Sequence, residues 1–259
     1  MSRLVIKVGT NILTTEDRKP DLNNLRDIVH QICDLLDTKQ HTVILVTSGA
    51  ITCGAEVLQM TPTSIPEKQA AAAIGQSLLM QEYNRFFQQR NYTCGQILLT
   101  KEGLQSNIVL ENVRNTINTL IEHKAIPIIN ENDCVATDEI GVKFGDNDEL
   151  SCLVAKLVHA EELILLTDID GVFDHNPKTD SSATLIKEIT SCDAAMLSLA
   201  KDTPNSRSRG GMASKLRAAK EAAESGIDVW IANGRRRHIL SDLTAGRGLG
   251  TKIWGNPTL

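Results

Sequence analysis

Residues 130 to 151 concentrate the side chains best suited to holding a polar ligand. The stretch carries seven carboxylates (Glu131, Asp133, Asp138, Glu139, Asp146, Asp148 and Glu149) against one lysine, Lys143. Asn132, Asn147, Gly141 and Gly145 are interleaved with them. The segment directly follows an apolar run, Ala125-Ile126-Pro127-Ile128-Ile129. Short, stiff polar groups are thus delivered to the end of a strand, where open α/β folds bind ligands. A solvated acidic loop is the plain alternative. Amides and glycines at such regular places favour a binding segment.

Four other strand-to-loop junctions carry unusual residues. At Lys7-Val8-Gly9-Thr10 a lysine inside a buried strand is costly unless it faces a charge, and Gly9 lets backbone approach a phosphate closely. An edge lysine with its head in water explains the same letters. Ser48-Gly49-Ala50 can open a helix with free N–H groups, an anion site, or be an ordinary N-cap. In Ser206-Arg207-Ser208-Arg209-Gly210-Gly211-Met212-Ala213-Ser214-Lys215 two glycines lead into a helix carrying Lys215 in its first turn. Such amides plus a lysine can cradle phosphate, although this is not the P-loop pattern; a surface loop before a helix reads equally well. Leu166-Thr167-Asp168-Ile169-Asp170-Gly171 could hold a nucleoside or make an Asp-Gly turn. Together, two lysines on glycine turns, a serine turn and an Asp/Asn cluster suit phosphoryl transfer, where positioning and charge stabilisation dominate.

The elements that must position these groups are legible from periodicity. Helical spacing marks Asp21 to Asp37, residues 69 to 90, 107 to 124, about 149 to 160, and Met212 to Ser225 with Gly226 as its cap; a short helix follows Arg237. Strands are expected at Arg3 to Gly9, Thr42 to Thr47, Gly95 to Leu99, 125 to 129, 163 to 166 and Ile227 to Ile231. This alternation predicts an α/β fold, a three-layer αβα sandwich with an open, mainly parallel central sheet, as one domain over residues 1–259. That length can bury a substantial core. A net charge of −5 argues against an electrostatic nucleic-acid binder. Six scattered cysteines and six scattered histidines suit reduced thiols and give a zinc site no support, so no protein metal ligands are expected. With no signal peptide and no apolar stretch of membrane length, a soluble, cytoplasmic protein without a membrane partner is expected.

The ordered set Lys7-Val8-Gly9, Ser48-Gly49-Ala50-Ile51, Gly75-Gln76, Asn130-Glu131-Asn132-Asp133, Phe144-Gly145-Asp146-Asn147-Asp148, Leu166-Thr167-Asp168 and Gly210-Gly211-Met212 resembles the amino acid kinase family. Within it, the Asn-Glu-Asn-Asp and Phe-Gly-Asp-Asn-Asp pair resembles the branch that makes γ-glutamyl phosphate for proline biosynthesis. It differs there from the acetylglutamate, aspartate, carbamate and UMP kinases. The resemblance runs from Lys7 to about Trp254. It implies ATP, with Mg2+, and L-glutamate side by side over the strand ends. Lys7 and Lys215 would contact the phosphates, with Asp148 holding them. Ser48, Asp133 and Asn147 would bind glutamate, supported by Asn130. Gly9, Thr167, Asp168, Arg209, Gly210, Gly211, Met212, Ala213, Ser214 and Lys215 would line the nucleotide. The resemblance further implies a homo-oligomer (dimer or tetramer), feedback by proline and coupling to γ-glutamyl phosphate reductase. The chain departs from the family at Ser208-Arg209, where Gly-Thr is usual, and resembles the short form without a C-terminal PUA domain. Rival readings are another small-acid kinase, an amino-acid-sensing module without turnover, and an NAD-binding oxidoreductase, which lacks its glycine fingerprint.

Overall fold

The computed structural model describes residues 1–100, 102–135, 147–177, 179–190 and 211–256. In chain order these form β1 (Ser2–Val8), α1 (Leu22–Asp37), β2 (His41–Val46), α2 (Ala50–Leu58), α3 (Ile65–Gln88), β3 (Thr93–Leu99), α4 (Asn107–Glu122) and β4 (Ala125–Glu131). There follow α5 (Asn147–Leu157), β5 (Glu162–Thr167), β6 (Val172–Phe173), β7 (Leu185–Ile186), β8 (Glu188–Ile189), α6 (Met212–Glu224), β9 (Asp228–Asn233), α7 (Ile239–Thr244) and β10 (Thr251–Ile253). The main sheet runs β3-β4-β2-β1-β5-β9-β10-β8, while β6 and β7 make a separate antiparallel pair. Its pairings are parallel except β9 with β10. The chain moves from β1 to β2 on one side, then returns to place β5 on the other. The carboxyl ends around β1 are therefore the crevice where connections diverge.

The strands are apolar on both sides because both faces are covered. Leu4, Ile6 and Val8 of β1 pack with Ile28 and Ile32 of α1, Tyr83 and Phe87 of α3, and Leu240 of α7. Val5 points the other way, into a core shared with Val154 and Leu157 of α5, Leu216 and Ala219 of α6, and Ile117 of α4. Side chains alternate along a strand, so Lys7 shares the face of Val5, the side covered by α5 and α6. That parity selects its partners.

Helix starts follow local chemistry. Asp21 caps α1 by accepting from the Asn24 N–H at 3.0 Å. Helix α3 begins at Ile65, four residues before the 69 expected from apolar period. The reason is a capping box: Ser64 Oγ accepts the Glu67 N–H, and Glu67 Oε2 accepts the Ser64 N–H at 2.9 Å. Those backbone and hydroxyl donors push the Glu67 carboxyl down to about 2. Helix α5 likewise starts at Asn147 rather than 149, which puts Asn147 and Asp148 inside its first turn. Helix α6 ends with Ser225 at the cap and Gly226 one residue beyond, at φ 81°. Strand β10 was not expected; three residues carry no period, and pairing with β8 and β9 makes it a strand.

Helices α2 and α3 interlock without side chains between them. A Cβ on Gly75 would lie 1.8 Å from the Ala50 carbonyl oxygen, and one on Gly54 would lie 1.8 Å from that of Ala71. Two glycines therefore let the backbones touch, bringing the middle of α3 against the start of α2. Gln76 is carried to the Ser48 turn by this contact.

Candidate functional site

Three charged side chains from β1, α5 and α6 meet beneath the sheet edge. Lys7 Nζ lies 2.5 Å from Asp148 Oδ1, and Lys215 Nζ lies 3.0 Å from Asp148 Oδ2. Asp148 has no solvent exposure, and each lysine has 4%. Burial alone would raise the Asp148 pKa; the two ammonium groups override it and hold the carboxyl below the ordinary aspartate value. One carboxylate thus fixes the positions of two cations that start 208 residues apart in the sequence (215 minus 7). Such a pair, pre-aimed in a dry site, is what a migrating anionic group requires. Gly9 borders it: a Cβ there would sit 3.5 Å from Lys7 Nζ and 3.3 Å from the Leu166 carbonyl.

Immediately beside Asp148, Asn147 opens a chain of buried amides. Its Nδ2 donates to Ser48 Oγ at 3.0 Å and to Asn130 Oδ1 at 3.1 Å. Asn130 Nδ2 donates to Gln76 Oε1 at 2.7 Å, and Asn130 Oδ1 also accepts the Glu131 N–H at 2.9 Å. Ser48, Gln76, Asn130 and Asn147 are all buried. Ser48 is held in turn by its neighbours. Thr47 Oγ1 is 2.8 Å from the buried Tyr83 hydroxyl, and Gly49 takes φ 100°, a left-handed conformation that favours glycine. Two atoms of the amide chain, Gln76 Nε2 and Asn147 Oδ1, have no hydrogen-bond partner among the described residues. Each such orphan costs about 1–3 kcal/mol. Buried groups of this kind beside a cation cluster are suited to meet a polar ligand.

The remaining expected residues lie around this core. Asp133 is half-buried, two residues past β4, in a turn closed by the Val135 N–H on the Asn132 carbonyl at 3.2 Å. Thr167 is buried at the end of β5, and its Oγ1 donates to Asp168 Oδ1 at 3.3 Å. The Gly9 N–H reaches the Leu166 carbonyl at 3.4 Å and the Gly234 N–H the Thr167 carbonyl at 3.0 Å, so three junctions converge there. Helix α6 begins at Met212 behind Gly211, an extended N-cap without a side-chain cap. Its first turn carries Ala213 and the buried Ser214 and Lys215. Arg209 and Gly210 lie outside the described residues, as do Phe144, Gly145 and Asp146. Among the described residues no three His, Cys, Asp or Glu side chains gather to hold a metal ion, and no helix is long and apolar enough to cross a membrane.

Sequence reasoning missed Gln76 as a site residue and the Asp170–Arg236 pair. Arg236 grips Asp170 through Nε at 2.8 Å and a terminal nitrogen at 2.6 Å, with Asn233 Nδ2 adding a bond at 3.0 Å. Those bonds hold the Asp170 carboxyl below its ordinary value and tie the loop after β9 to the turn after β5. The signal for Gln76 was its place beside Gly75 in the Gly75-Gln76 pair of the resembling motif set.

An open α/β sheet with two lysines gathered on one aspartate, beside a chain of buried amides, is the arrangement of a phosphoryl-transfer site. The profile of the amino acid kinase family matches residues 2–233, and the chain belongs to that family. It is 42% identical over 253 residues to a glutamate 5-kinase of Clostridium perfringens, covering 96% of this chain and 94% of that protein. It is 44% identical over 245 residues to the glutamate 5-kinase of Clostridium acetobutylicum, covering 94% and 91%. The branch expected from the motifs is therefore the branch these relatives occupy. In fold it resembles a carbamate kinase from Giardia lamblia bound to AMP-PNP, with TM-score 0.68, 18% identity, and coverage of 98% of this chain and 99% of that one.

Proposed function

We propose that the chain transfers the γ-phosphoryl group of ATP to the γ-carboxylate of L-glutamate, giving γ-glutamyl phosphate and ADP, the first step of proline biosynthesis. The observation that carries this reading is the buried Lys7–Asp148–Lys215 cluster directly adjoining the chain of buried amides through the consecutive residues Asn147 and Asp148. The acceptor carboxylate has an ordinary pKa of about 4.3 and is ionised at neutral pH, so no general base is needed. What opposes the reaction is repulsion between two anions.

Lys7 and Lys215 offset that repulsion and the charge that builds on the phosphoryl oxygens. A γ-carboxylate oxygen forms the new bond to phosphorus as the bond to the bridging oxygen of ADP breaks. Asp148 touches neither reactant in this scheme and keeps both ammonium groups in place. Gly9, Thr167, Asp168 and residues 211–215 line the nucleotide, with Arg209 and Gly210 assigned there by resemblance. The start of α6, whose N-cap Gly211 brings no side-chain cap, suits phosphate oxygens through its first-turn backbone, and Mg2+ carried on the phosphates would add positive charge. Ser48, Asn130, Asp133 and Asn147 hold glutamate, the carboxylate and amide oxygens facing its ammonium. Self-association and transfer of the acyl phosphate to a γ-glutamyl phosphate reductase belong to the same reading.

The test is ADP release with glutamate, aspartate, N-acetylglutamate, carbamate and UMP offered separately, with hydroxylamine trapping acyl phosphate. Hydroxamate should form with glutamate. Turnover on another acceptor with none on glutamate would overturn the proposal.

A further inference from the structure

The buried amides form a one-way chain whose polarity is set by the backbone. The Glu131 N–H can only donate, so the atom of Asn130 that meets it at 2.9 Å is Oδ1. Asn130 Nδ2 must then face Gln76, which presents Oε1 at 2.7 Å. Asn147, bonded to the same Asn130 Oδ1, must offer its nitrogen, at 3.1 Å. Two ends are left over. Gln76 Nε2 is a donor and Asn147 Oδ1 an acceptor, both in side chains more than nine-tenths buried and both without a partner among the described residues.

One free donor and one free acceptor match the two charges of an amino-acid head group. Asn147 Oδ1 suits the ammonium. Asn147 adjoins Asp148 and the lysines, where the reacting carboxylate must lie, whereas Gln76 is two amides away along the chain. Resting on the proposed reading of the site, we propose that Gln76 is a substrate-binding residue whose Nε2 donates to the α-carboxylate of glutamate. It thereby selects acceptors that carry an α-carboxylate as well as an α-amine. The α2–α3 interlock at Gly75 delivers it.

The contrast between two substitutions tests this. Gln76→Glu keeps an oxygen for Asn130 but replaces the free donor with an acceptor; Gln76→Ala removes both. If Gln76 serves the α-carboxylate, both variants lose about ten- to hundredfold in kcat/KM for glutamate, chiefly through KM, as a hydrogen bond to a charged group would give. Gln76→Glu should be the worse. Inhibition by 4-aminobutyrate, which keeps the amine and the reacting carboxylate but lacks the α-carboxylate, should change less than threefold in Gln76→Glu, which keeps the oxygen that holds Asn130. A residue that merely props Asn130 would give the reverse order, with Gln76→Glu the milder, and equal losses for both compounds; that result would overturn the assignment. So would unchanged kinetics in both variants. If the unsubstituted protein neither binds glutamate by calorimetry nor phosphorylates it, the proposed function itself falls, and the assignment with it.

Discussion

Lys215 gives the sharpest test at the scale of single residues. Lys215→Ala leaves Asp148 paired with Lys7, so the fold should persist by circular dichroism, while turnover should fall by about 10²–10³, the range for deleting one electrostatic stabiliser. A near-normal rate would remove its role. Asp148→Asn acts differently, because it strips the shared anchor from two buried ammonium groups and should destabilise by about 3–5 kcal/mol. The Asp148 carboxyl is held below its ordinary value of 3.8. Its contribution is therefore complete above that value and disappears as pH falls through the lower folded-state value. Urea unfolding should show a wide gap between protein and variant at neutral pH, closing below about pH 4. A gap independent of pH would contradict the triad. Lys7 could be suspected from sequence because a lysine in an apolar strand is costly. Gln76 stood out only through the motif resemblance, since glutamine is an unremarkable helix former and its burial arises only when α3 meets Asn130.

At the scale of elements, the α2–α3 contact is the part most open to attack. Gly75→Ala would place a methyl group 1.8 Å from the Ala50 carbonyl oxygen, where both sides are backbone and cannot yield. Overpacking of this kind costs about 1–3 kcal/mol, and thermal melting should fall by several degrees. The shift should also move Ser48 and Gln76 apart and raise KM for glutamate. Unchanged melting would show that the helices can separate freely. Long helices and buried strands were readable because their apolar residues repeat. The start of α3 was also written in the sequence, as Ser64-Ile65-Pro66-Glu67, but it lies outside the periodic stretch. Strands β6, β7, β8 and β10 have two or three residues each, and only their pairing defines them.

At the scale of the whole molecule, the site is a consequence of topology. Lys7, Ser48, Gln76, Asn130, Asp148, Thr167 and Lys215 come from strands, helices and the turn after β2, spread along most of the chain. They meet because β1 to β5 and β9 run parallel and send their carboxyl ends to one edge of the sheet. The strand alternation made that edge foreseeable, and the motif resemblance pointed to which residues share it. The ion pairs and amide bonds themselves depend on three-dimensional packing that no local pattern encodes. The most direct measurement uses glutamate labelled with 18O in the γ-carboxylate, turned over with ATP in the presence of hydroxylamine. Attack of hydroxylamine on the acyl carbon releases phosphate that retains the oxygen joining carbon to phosphorus. Phosphate bearing a single 18O by 31P NMR is the predicted result. Unlabelled phosphate, as simple ATP hydrolysis would give, would contradict transfer to the γ-carboxylate.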